Sequence, residues 1–271
     1  MKTSMRTTAA ALAAGLLIMS CGKTEENKET SPPQQQTPSA TPAPAAQTPE
    51  AEPQATATVQ TEQPAAAPAA GEGKLVPLDI KLPRPMFVGT PTNIAVPNLE
   101  KPLGKPRPPF LAPEGTTNIA LKKPVTGSDE LPTIGELSMV TDGDKEAAEG
   151  SFVELGPKVQ YVTIDLKGRF SIYAILVWHF HKQAVVYHDV IVQVADDPDF
   201  VSRVVTVFNN DIDNTAGRGI GKDMAYVETS EGKLIDAKGV QGRYVRLYSR
   251  GNTANDFNHY TEVEVYGKPV K

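Results

Sequence analysis

An all-β sandwich is the fold class that this sequence predicts, and three observations predict it. Short runs alternate apolar and polar residues with the two-residue period of a half-buried strand: Val162, Ile164 and Leu166; Val245 and Leu247; Val263 and Val265. Clusters rich in Gly, Asn and Asp separate such runs, as at 209–221 and 251–258. No long amphipathic helical pattern interrupts them. The region with these properties is 116–271, roughly 155 residues and long enough for a real core.

The stretch Phe170–Phe200 dominates that region. Ile172 to His179 is apolar on both faces, which predicts a central or covered strand. His188, Val190, Val192 and Val194 alternate with Asp189, Ile191 and Gln193, and the two runs read as a hairpin closed by a short turn at 182–186. Three of the four histidines and the single tryptophan fall around that turn. A ligand site is therefore expected at that end, with Trp178, His179, His181, Lys182, Tyr187 and His188 as candidates. Asn209, Asn210, Asp211, His259 and Tyr260 are the residues that neighbouring loops could add. Core packing is the competing expectation for Trp178, and a backbone-bonded strand end for His188. His179 and His181, two apart on a strand, could chelate a transition metal, but no HExxH or CxxC signature accompanies them.

The chain before residue 116 differs in kind. It holds 19 of the 24 prolines. Residues 1–20 read as an export signal: Lys2 and Arg6, then a short apolar run, too short for a permanent span. Leu17-Ile-Met-Ser-Cys21 resembles a lipobox, which marks Cys21, the only cysteine, for lipidation. Acyl chains on Cys21 would anchor the protein to a lipid membrane in the bacterial cell envelope. By resemblance to sorted lipoproteins, Gly22 rather than Asp after the cysteine favours the outer membrane if the host has one. Residues 21–73, the lipidated cysteine and a Pro/Ala/Thr/Gln-rich linker, lack the apolar residues to offset ordering entropy and are expected to be disordered. Residues 74–115 form a proline-rich extended arm whose Leu78, Ile80 and Leu82 need a surface to pack on; it either docks on the domain or serves as a stalk.

The net charge of -5 gives no footprint for nucleic acid. Enzyme motifs are missing as well. There is no Gly-x-Ser-x-Gly elbow, and Gly217-Arg-Gly-Ile-Gly-Lys222 has neither the phosphate-loop nor the dinucleotide spacing.

Six segments follow one another in order: 118–126, Val140-Thr-Asp-Gly-Asp144, Val162-Thr-Ile-Asp-Leu166, Ile191-Val-Gln-Val-Ala-Asp-Asp197, Gly242-Arg-Tyr-Val-Arg-Leu247 and Glu262-Val-Glu-Val-Tyr-Gly267. Their succession resembles the coagulation factor 5/8 type C, or discoidin, domain and the related galactose-binding-like carbohydrate-binding modules. The resemblance implies a jelly-roll β-sandwich whose loops at one end bind a glycan or polysaccharide without catalysis. It also implies a structural Ca2+ at Asp142, Asp144 and Glu262 with nearby carbonyls, although Ala147 stands where the family commonly has threonine. The alternative is an adhesion module that uses the apolar arm to bind a protein partner in the envelope.

Overall fold

The computed structural model describes residues 73–87, 89 and 93–270, so the expected export signal, Cys21 and nearly all of the linker lie outside the described residues. The described residues belong to one unit that reaches the C-terminus. It is an all-β antiparallel sandwich with the expected alternation. Its eleven strands are β1 (Leu75–Pro77), β2 (Leu111–Pro113), β3 (Thr117–Asn118), β4 (Val125–Gly127), β5 (Val153–Leu155), β6 (Gln160–Trp178), β7 (Ile191–Ala195), β8 (Val205–Asn209), β9 (Lys233–Ser249), β10 (Asn258–Tyr260) and β11 (Glu262–Pro269). The one helical element among the described residues is a 3-10 turn, Leu137–Thr141.

Two long strands build both layers. The first half of β6 pairs with β4 and with the end of β9, which also pairs with β7, and β7 with β8. The second half of β6 pairs with β11 and with the start of β9, and β11 with β3. Both strands bend where the register breaks between Asp165 and Phe170. The bend has local causes. Lys167 takes φ 63°, and its N–H donates to Asp165 Oδ1 at 2.8 Å. Arg243 grips the same carboxylate through Nε at 2.8 Å and Nη2 at 2.9 Å, which holds the Asp165 carboxyl well below its usual range. Gly242 lies beside this crossing because any Cβ there would overlap Val194.

Between the layers lie Val162, Ile164, Leu166, Ile175, Val177, Val192, Val194, Val245, Leu247, Val263 and Val265, all buried. These are the alternating residues of the sequence pattern. The other face of the β6–β11 layer carries Ala174, Leu176, Trp178 and Tyr266, and the arm covers it: Leu78, Ile80 and Phe110 pack there. β1 pairs with β2 to close the arm, and Leu78 N–H donates to the Phe110 carbonyl at 2.9 Å. Docking, not a free stalk, is what the structure shows, and it explains why Ile172–His179 is apolar on both faces.

The expected hairpin is corrected. β6 and β7 do not pair; β9, far along the chain, lies between them. The connection 179–190 instead carries the chain from one layer to the other. An apolar run and a polar turn could not reveal an intervening strand.

Candidate functional site

Nine of the eleven expected ligand residues are buried: Trp178, His179, His181, Tyr187, Asn209, Asn210, Asp211, His259 and Tyr260. His188 is half-buried, and Lys182 is exposed and pairs with Glu149 at 3.4 Å. Trp178 packs under the arm and donates from Nε1 to the Ser230 carbonyl at 3.0 Å. Gly232, at φ 62°, allows this, since a Cβ there would come within 2.7 Å of the indole.

The aromatic and histidine residues do come together, but inside the fold. His179 Nδ1 lies 2.5 Å from Glu228 Oε1, both side chains fully buried, and its ring stacks on Tyr187 at 4.3 Å. Tyr187 Oη lies 2.8 Å from His259 Nδ1, and His259 Nε2 lies 3.0 Å from Glu154 Oε2. Burial lowers the proton affinity of His259 against the pull of Glu154. The neutral Nε2–H tautomer satisfies both contacts, with Tyr187 donating and Glu154 accepting. His181 donates from Nε2 to the Lys145 carbonyl at 2.9 Å. These histidines bond different partners and do not converge on one metal. Glu228→Ala would leave His179 buried without its carboxylate. The expected loss is about 3–5 kcal/mol, read by denaturant unfolding of the full chain.

The calcium residues sit where the loop after the 3-10 turn meets β11. Asp142 Oδ1 accepts from Asp144 N–H at 2.7 Å, and Asp144 Oδ1 from Glu146 N–H at 3.0 Å, so the acidic loop is a chain of turns. Glu262 is fully buried; Oε2 accepts from Gly143 N–H at 3.1 Å, and Oε1 has no partner. Burial pushes its carboxyl up to about 9, and Glu264 and Asp142 add to the rise. Lys145 is committed to Glu264 instead. A buried carboxylate with an unpartnered oxygen beside further acidic groups suits a cation. Ala147 is buried, and its side chain offers no oxygen.

A second carboxylate group lies elsewhere. Among the described residues, Asp189, Asp211 and Asp213 bring one oxygen each to within 4.8 Å of one another, an arrangement that could hold a metal ion. Asp142, Asp144 and Glu262 do not form such a group. Asp189 takes φ 52° just before β7. His188 N–H donates to the Gly251 carbonyl at 3.1 Å, and Arg250 N–H to the His188 carbonyl at 2.8 Å. This pairing brings the Arg250 guanidinium onto the Asp189 carboxylate. Asp211 is fixed by Thr215 N–H at 3.0 Å and Ala216 N–H at 2.9 Å. Asn209 and Asn210 serve as braces: Asn209 Oδ1 accepts from Asp211 N–H at 2.9 Å, and Asn210 Oδ1 from Val190 N–H at 2.7 Å. Burial raises the Asp189 carboxyl and lowers the His188 imidazole, which Arg250 lowers further. His188 thus presents a neutral ring at neutral pH.

Of the expected residues, Asp211 belongs to this group, and His188 flanks it, within electrostatic reach of Arg250 and Asp189. Asp189 and Arg250 were not singled out as site residues from sequence, whereas Asp213 lies in the loop 208–214 expected to approach the site. Arg250 follows Asp189 by 61 residues and joins it only through the β7–β9 register, in which Ile191 faces Tyr248.

No family model matches the chain, and no curated protein matches it. Solved structures similar to it include a family 89 glycoside hydrolase from Clostridium perfringens bound to 2-acetamido-1,2-dideoxynojirmycin, at 20% identity over 56% of this chain and TM-score 0.41. The aligned region is 15% of that enzyme. The CBM32 of AlyQ in complex with 4,5-unsaturated mannuronic acid is 17% identical over 52% of this chain and 92% of its own, with TM-score 0.38. A Streptococcus pneumoniae fucose binding module is 21% identical over 55% of this chain and 97% of its own, with TM-score 0.39.

Proposed function

We propose that this protein is a non-catalytic carbohydrate-binding protein held to the bacterial envelope by acylated Cys21, with the outer membrane as its location. The observation that carries the binding role is the convergence of Asp189, Asp213, Arg250 and His188 at one end of the sandwich. Carboxylates accept from sugar hydroxyls, guanidinium donates to their oxygens, and a neutral imidazole does either. Backbone pairing fixes the group before a ligand arrives, which limits the ordering entropy of binding. Phe257, exposed in the loop after Arg250, offers a ring for stacking. Ca2+ has a structural role in this reading, with Glu262 and Asp142 holding it beside main-chain carbonyls.

On a broad glycan array, the full chain should retain at least one glycan class, and Asp189→Asn should weaken that retention at least tenfold. No retained glycan would turn attention to a protein partner in the envelope. Cys21→Ser should move the protein from the membrane to the soluble fraction; an unchanged fractionation would remove the lipid anchor.

A further inference from the structure

The docked arm also builds a cavity, separate from the Asp189 group. It measures about 610 Å³ and lies between arm residues Met86, Phe87, Gly89, Ile94 and 99–107 on one side and strand-side residues 226–234 on the other. That volume falls in the range of small-ligand sites.

Both ends of the arm segment are fastened. At one end Leu99 bridges Ala225, Glu100 N–H donates to the Ala225 carbonyl at 2.8 Å, and Asn98 Nδ2 to the Asp223 carbonyl at 3.0 Å. At the other, Arg107 donates to the Gly232 and Glu231 carbonyls, each at 3.0 Å. Between them Lys101-Pro-Leu-Gly-Lys-Pro106 crosses as an exposed strap. Two prolines restrict it, and Leu103 stands 63% exposed at the cavity edge.

The lining is amphiphilic. Phe87, Ile94, Leu99 and Leu103 supply apolar surface. Lining Tyr226 is buried, and its hydroxyl has no partner. Lys233 pairs with Glu100 at 2.6 Å, and Arg107 N–H donates to the Glu231 carboxylate at 3.3 Å. Lys101 and Lys105 have no carboxylate partner among the described residues, although the protein is acidic overall. Apolar walls with two uncompensated ammonium groups on the strap complement an anion with an apolar body.

We infer that this cavity binds a small amphiphilic carboxylate, with its apolar body against Leu99 and Leu103 and its charge toward Lys101 and Lys105. Trp178 reports on it, since Gly232 and Ser230 of the cavity wall touch the indole. Decanoate, decanol and decylamine are titrated into the full chain below their micelle concentrations, and Trp178 fluorescence is followed. Decanoate should give a saturable change, weaker at high salt, and decylamine none. The Lys101→Ala/Lys105→Ala variant should bind decanoate at least tenfold more weakly, and Leu103→Asp should bind it no more tightly than that. Both variants change exposed residues, so thermal melts should match the parent. No saturable change, equal response to all three amphiphiles, or unaltered decanoate affinity in both variants overturns the assignment.

Discussion

Glu262→Gln is expected to make the metal-free protein more stable at pH 7, by about 3 kcal/mol, and to abolish stabilisation by calcium. The carboxyl is buried, with one oxygen unpartnered and its proton affinity raised to about 9. A raised acid binds its proton more tightly folded than unfolded. Stability of the chelated parent should therefore be highest below the ordinary value of 4.5 and fall as pH rises to about 9. At pH 7 the loss from this group is about 3 kcal/mol. Calcium in place of the proton would flatten that slope. Glutamine keeps the acceptor for Gly143 N–H and removes the charge. Differential scanning calorimetry from pH 4.5 to 9, with EDTA and with millimolar calcium, checks both parts. A calcium shift that persists in the variant would move the ion away from Glu262, with the Asp189 group as its next location.

A chain beginning at Thr116 is expected to lose about 3–5 kcal/mol and to associate through a newly exposed apolar face. Leu78, Ile80 and Phe110 cover Ala174, Leu176, Trp178 and Tyr266. Each covering side chain is partly buried, so each contributes less than the roughly 1.5–3 kcal/mol of full burial. That total is a large fraction of a typical domain's stability. Denaturant titration of chains beginning at 73 and at 116, with light scattering to follow association, measures it. Equal midpoints would mean that the arm rests on the sandwich without supporting it.

The sequence revealed strands wherever one face meets the core. Val162, Ile164 and Leu166, and Val263 and Val265, alternate because every second side chain lies between the layers. It revealed a covered strand at Ile172–His179 but not the cover, since Leu78 and Ile80 are compatible with several docking surfaces. It misled at the hairpin because pairing between β6 and β9 leaves no mark in either segment. His179, Tyr187 and His259 come together inside the fold, whereas Trp178 packs under the arm and His188 is only half-buried. The group of Asp189, Asp213 and Arg250 was hidden for a different reason. Its members are ordinary solvated charges until the β7–β9 register and the Asp211 loop bring them together.

Glycan recognition at that group is tested most directly by calorimetric titration of the full chain and its Arg250→Ala variant with mono- and oligosaccharides, in calcium and in EDTA. Saturable heat in the parent and at least tenfold weaker binding in a variant that keeps its β-sheet circular dichroism are the expected outcome, with some loss of melting temperature because Asp189 is left without its guanidinium. No saccharide heat in the parent under either condition, or equal affinity in parent and variant, would contradict a glycan site built on Asp189 and Arg250.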